Sequence, residues 1–115
     1  MRAELRTLDS ADAPGGLATF VPTDPERFAI AVGATIGPPG AEGGDLFYFN
    51  VVTAGWLAEH PPPKGFEFLR VLLVTRWDYE TVRRAISDLC VRTAGNDWNE
   101  VATKLSRAAH WEFED

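Results

Sequence analysis

Glutamine is absent from this chain, and cysteine, methionine, lysine and histidine are scarce: one, one, two and two among 115. With Cys90 alone, no intramolecular disulfide can form and no C-x-x-C metal or redox pair exists. A chain without staples must be held by burial, and one of this length removes roughly 65% of its unfolded surface from water, which suffices. A reducing compartment suits it. His60 and His110 form no H-x-x-x-H spacing, so a zinc site of local ligands is excluded. Long apolar runs are lacking too. The longest nearly uncharged stretch, Phe28–Pro39, is broken by glycines and ends in Pro38-Pro39, too short to span a bilayer. Met1–Arg6 has an early acid, Glu4, and no apolar core of the signal-peptide kind. A soluble, cytoplasmic protein without a membrane partner is expected.

Basic charge is also in deficit, with 17 acidic against 11 basic residues and a formal net charge of -6. The deficit is uneven. Residues 1–60 hold eight acids and three bases, and residues 61–115 hold nine and eight. This field disfavours a nucleic-acid partner and favours approach of a basic one. Solubility alone would also account for mild acidity. Gly33, Gly37, Gly40, Gly43 and Gly44 are followed by no Gly-Lys-Ser/Thr, so they are turn glycines and not a phosphate loop. No cofactor and no metal is expected.

What is present is an ordinary globular composition, 45% apolar and 24% charged. No repeat or linker divides it, and residues 1–115 are expected to form one domain. Ala3–Leu8 alternates as a strand. Asp9–Gly16 is a loop of turn formers, and Leu17–Val21 a short extended piece closed by Pro22. Phe28–Ile36 is the clearest strand, with Phe28, Ile30, Val32, Ala34 and Ile36 on one face and small residues on the other. The segment Gly37–Gly44 connects it to a second strand, Asp45–Thr53. There Phe47, Phe49 and Val51 oppose Leu46, Tyr48 and Val52. Gly55–His60 has room for one helical turn before Pro61-Pro62-Pro63 stops it. Phe66–Thr75 reads as a further strand, apolar on both faces, and such a strand is either covered on both faces or leaves a patch for a partner.

From Asp78 the period becomes helical. Asp78 is a good N-cap, Val82, Ile86, Leu89 and Cys90 recur at helical spacing, and Gly95 is placed to end the helix in the left-handed conformation. Asp97-Trp98-Asn99-Glu100 opens a second helix in capping-box fashion, with Trp98, Val101, Leu105 and Ala108 as its apolar stripe. Strands followed by helices predict an α+β fold: an antiparallel sheet of about four strands with two carboxy-terminal helices packed on one face.

Catalysis needs titratable groups set side by side, and no local pattern provides them. Cys90 lies on an apolar stripe, where free cysteine serves as a small core residue. Trp56, Trp77, Trp98 and Trp111 are many for this length, and either core packing or interface anchoring would employ them. No catalytic residue is assigned, and the chain is expected not to be an enzyme.

The run Gly95-Asn96-Asp97-Trp98-Asn99-Glu100-Val101-Ala102-Thr103-Lys104-Leu105-Ser106-Arg107, followed by Trp111-Glu112-Phe113-Glu114-Asp115, resembles the immunity protein 8 family of bacterial polymorphic toxin systems. The helix opening Trp77-Asp78-Tyr79, the turn Ile36-Gly37-Pro38 and Trp56-Leu57-Ala58 are similar too. The likeness spans most of residues 28–115, with Pro61–Gly65 as an insertion peculiar to this chain. The resemblance implies an α+β protein encoded beside a toxin gene, which binds and neutralises that toxin in the producing cell. The partner expected is the toxin's basic carboxy-terminal domain, a nuclease being one candidate. Asp97, Glu100, Trp111, Glu112, Glu114 and Asp115 are the anchors expected to meet it. A structural or oligomerising module is the alternative, motivated by the apolar surroundings of Tyr48 and Leu72, and a homodimer is compatible with both.

Overall fold

The alternation of large and small side chains along the strands decides which way the sheet faces. A computed structural model describes residues 1–114. Strands β1 (Glu4–Asp9), β2 (Ala29–Gly37), β3 (Asp45–Thr53), β4 (Val71–Val74) and β5 (His110–Trp111) make one sheet. Helix α1 (Ala54–Glu59) separates β3 from β4, and α2 (Tyr79–Arg92) and α3 (Trp98–Leu105) lie between β4 and β5. Antiparallel pairing sets Ile30 opposite Val51, Val32 opposite Phe49 and Ala34 opposite Phe47. These six residues therefore share one face, because a strand's side chains alternate with period two. Onto that face α2 brings Val82, Ile86 and Cys90, and α3 brings Val101, Ala102 and Leu105, all buried in one apolar cluster. The α+β class and the helices on one face are as the sequence predicts.

Local chemistry starts each helix. The Asp78 carboxylate accepts from the Thr81 amide at 3.1 Å and the Thr81 hydroxyl at 2.6 Å, satisfying a donor the first turn would otherwise leave free. These bonds hold its carboxyl below the ordinary aspartate value. Asp97 accepts from the Glu100 amide at 2.8 Å, and Glu100 reaches back to the Asn96 amide at 3.1 Å, a capping box displaced by one residue. The buried hydroxyl of Thr53 accepts from the amides of Phe28 and Trp56, ending β3 and starting α1 together.

Four sequence expectations need correction. The strand expected over Phe66–Thr75 is only Val71–Val74, and it runs parallel to β3, not antiparallel. Its crossover is α1 and the proline-rich loop, as parallel strands require. Its shortness has a cause outside the segment. β2 occupies one side of β3 along its length, so β4 and β5 share the other: β4 pairs with Asn50–Thr53 and β5 with Phe47–Tyr48. Extending β4 back through Phe66 would place it where β5 sits. Leu17–Val21 is not extended; Leu17–Thr19 turns as a 3₁₀ helix after Gly16 (φ 110°) and buries Leu17. The helix expected to close at Gly95 ends at Thr93 in extended geometry, and Gly95 does not take positive φ. Glycine is needed there for space, since a Cβ would lie 3.0 Å from Cβ and Cγ of Glu100. Finally β5, which local pattern does not announce, is a strand.

Candidate protein-binding surface

The residues singled out at the carboxy terminus meet around β5. Asp45, at the start of β3, accepts from two indoles at once: Nε1 of Trp98 at 2.8 Å and Nε1 of Trp111 at 3.0 Å. Trp111 stacks on Phe47 with centroids 6.2 Å apart, and Phe113 meets Trp111 edge-on. The Glu112 amide donates to the Leu46 carbonyl at 3.0 Å while its carboxylate accepts from the Leu46 amide at 2.9 Å. Arg70 closes the junction between β4 and β5. It donates to the carbonyls of Ser106 and Ala109, to Nδ1 of His110, and to both carboxylate oxygens of Glu114, at 2.9 and 3.2 Å. The Arg70 hydrogen bond holds the Glu114 carboxyl below its ordinary value, against a smaller opposing effect of partial burial.

The structure thus gathers Trp111, Glu112 and Glu114, and joins Asp97 and Glu100 to them through Trp98 and Asp45. Each acid already has an internal duty. Asp97 caps α3, Glu100 bonds Asn96 and pairs with Lys104 at 3.3 Å, Glu112 fastens β5, and Glu114 pairs with Arg70. Asp115 lies outside the described residues. Asp45 and Arg70, the hubs of this arrangement, were not singled out by sequence reasoning, and no local motif marks them, because their partners lie 36 to 66 residues away.

The other face of the sheet presents a second surface. Neither α2 nor α3 covers it. Small side chains line β2 there, Ala29 and Ala31 exposed, while Tyr48 and Leu73 are 44% and 56% exposed. Leu72 turns instead toward the core, so Leu73 supplies the outward apolar group of β4. At one end Trp56 and Leu57 of α1 join Ala29, Ala31, Leu69 and Val71 around a shallow open groove that Asp12 also borders. Farther along, the side chain of Asp9 crosses over Gly33, where an added Cβ would lie 2.7 Å from Asp9 Oδ1. The segment displaced from the sheet edge by β5 leads into this groove. In it Phe66 is 70% and Phe68 99% exposed.

Three of the four tryptophans have their indole N–H spent within the chain. Trp77 is buried, donates to the Phe20 carbonyl at 2.8 Å, and packs edge-on against Phe20 and Phe28. Trp98 and Trp111 share Asp45, and Trp56 lines the groove.

Reactive chemistry is poorly served by this arrangement. Cys90 is buried and burial pushes its thiol up to about 11, far from the thiolate a nucleophile needs. His60 stacks on Trp56 with ring centroids 4.2 Å apart. His110 lies 3.2 Å from a carboxylate oxygen of Glu114, but Arg70 engages both, which makes the trio a clasp between two strands. Among the described residues no group of three His, Cys, Asp or Glu side chains is placed to hold a metal ion. No helix among them is long and apolar enough to cross a membrane.

Compared with protein families, the chain matches the one described as Immunity protein 8 over residues 3–115. No curated protein and no solved structure matches it.

Proposed function

Because this chain belongs to the Immunity protein 8 family, we propose that it neutralises a secreted bacterial toxin by binding the toxin's carboxy-terminal domain one to one and occluding its active site or substrate groove. Membership itself implies a toxin-neutralising role and a non-enzymatic one. The observation that carries the binding mechanism is the sheet face left bare by α2 and α3 together with the exposed aromatic segment, where Tyr48, Phe66, Phe68, Leu69 and Leu73 leave large apolar side chains in water as contact sites do. Net charge adds direction. A formal charge of -6 favours a partner with a basic groove, as a nuclease toxin has, and raises the rate of encounter. The chain acts in the cytoplasm of the cell that makes the toxin, as one half of a polymorphic toxin system. Asp97, Glu100, Glu112, Glu114 and Asp115 contribute to this long-range attraction through their charge, and Trp111, stacked on Phe47, anchors the short strand that precedes Glu112.

Co-expression with the toxin domain encoded in the adjacent gene tests this. Growth should be restored, and sedimentation of the purified mixture should give a complex of equal stoichiometry. Continued killing beside a folded, soluble chain would overturn the reading. So would protection at a small fraction of the toxin's concentration, the signature of turnover.

A second reading, two copies burying the sheet face against each other, is favoured by the exposure of Tyr48 and Leu73. A strict monomer in sedimentation at high concentration removes it.

A further inference from the structure

We propose, resting on that reading, that the toxin domain docks on the open face of the sheet and the Phe66–Leu69 segment, presenting an apolar centre and a cationic rim. Two independent features of the molecule lead there.

The first is where apolar surface has been left in water. Phe66, Phe68, Leu69, Leu73 and Tyr48 are all exposed, and Phe68 touches almost nothing in its own chain. Phe66–Leu69 has the composition of a strand yet is barred from the sheet edge because β5 holds Phe47 and Tyr48. Its aromatics therefore contribute little to the fold and are available as anchors, the role aromatics take at the centre of interfaces. Beside Leu69, the exposed Ala29 and Ala31 keep the sheet surface low, so a partner's side chains can approach the backbone there.

The second is which acids are free. Among the described residues Asp9, Asp12, Glu26, Glu42, Glu67 and Asp88 make neither an ion pair nor a side-chain hydrogen bond, and of these Asp9 lies over Gly33, Asp12 borders the groove and Glu67 sits in the exposed segment, whereas Glu100 and Glu114 are held by Lys104 and Arg70. Lys64 offsets Glu67 within the loop, so the negative excess comes from Asp9, over Gly33, and Asp12, at the groove. A cationic rim can meet these carboxylates without first breaking an internal bond. Recruiting Glu112 or Glu114 would instead strip the Leu46 amide or Arg70 of its partner.

The probe is the purified carboxy-terminal toxin domain encoded in the adjacent gene, titrated calorimetrically at low and high salt. The double variant Phe68→Asp, Leu73→Asp should fold as the native chain does and weaken binding about 100-fold or more. Asp9→Asn with Asp12→Asn should weaken it about tenfold at low salt and flatten the salt dependence. Phe113→Ser, on the other surface, should bind within about threefold of native. Native-like affinity in the Phe68/Leu73 variant, with loss in Phe113→Ser, overturns the proposal and moves the interface to the carboxy terminus. Dissociation of a homodimer by the Phe68/Leu73 variant, with toxin affinity intact, overturns it in favour of a second copy. If the native chain itself fails to bind, the neutralising function falls and the docking surface with it; native binding that ignores the variants sinks the docking surface alone.

Discussion

Phe47 and Tyr48 are consecutive residues of one strand, yet the first is fully buried and the second is 44% exposed. The same division runs through most of the sheet, the exception being Val52, which is buried beside Trp56 and Leu57 of α1. On one face Ile30, Val32, Phe49 and Val51 are sealed beneath α2 and α3, and on the other Ala29, Ala31, Tyr48 and Leu73 meet solvent. The sealed face makes the fold, and the open face is free to be used. A protein that works by offering a surface needs both, because anchors that stabilised its own core would not be available to a partner.

Truncation should separate the faces most sharply at those two neighbours. Phe47→Ala removes a buried ring that packs against Trp98 and Trp111, and should cost about 3–5 kcal/mol in denaturant unfolding. Tyr48→Ala should cost about 1 kcal/mol or less. Comparable losses at the two positions would mean that the open face is covered.

The clasp at the sheet edge comes next. Arg70→Ala strands the carbonyls of Ser106 and Ala109 and should cost about 2 kcal/mol, read by the same unfolding experiment. Its pH signature is set by Glu114, whose carboxyl lies below its ordinary 4.5 in the folded chain because Arg70 favours the ionised form. A depressed carboxylate stabilises above its unfolded value, and that contribution disappears as pH falls through the folded one. The stability gap between the native chain and Glu114→Gln should therefore be open at pH 7 and close as pH drops below 4.5. A gap that widened in acid would show that the pair is not formed.

A smaller effect sharpens the sealed side. Gly95→Ala puts a methyl against the first turn of α3, 3.0 Å from Glu100 carbons and 3.1 Å from the Val101 amide, and should cost about 1 kcal/mol. A stabilisation, as lost chain entropy alone would give, would show that α3 can move aside. Smallest of all is Phe68→Ser, which should alter unfolding stability by about 0.5 kcal/mol or less despite removing an aromatic ring.

The sequence carried the sealed face well because its code is local. Alternation in Phe28–Ile36 and Asp45–Thr53 and the caps at Asp78 and Asp97 need only a few neighbouring residues, and each element stands where its pattern puts it. What failed was the competition between distant segments for one strand edge. Phe66–Thr75 has strand composition throughout, and only the arrival of His110–Trp111 on β3 determines that its first half stays unpaired. Asp45 and Arg70 were invisible for the same reason, since a carboxylate under two indoles and a guanidinium under two carbonyls are made by folding and not by spacing. The acids of Trp111–Glu114 were legible as a group, but their internal partners Leu46 and Arg70 were not.

Side-chain footprinting by hydroxyl radicals, on the chain alone and saturated with its toxin domain, puts the division between the two faces to the most direct test. Tyr48, Phe66, Phe68 and Leu73 should lose most of their reactivity in the complex while Phe113 keeps its own. Unchanged oxidation at Phe68 and Tyr48, with protection confined to Trp111 and Phe113, would contradict the account.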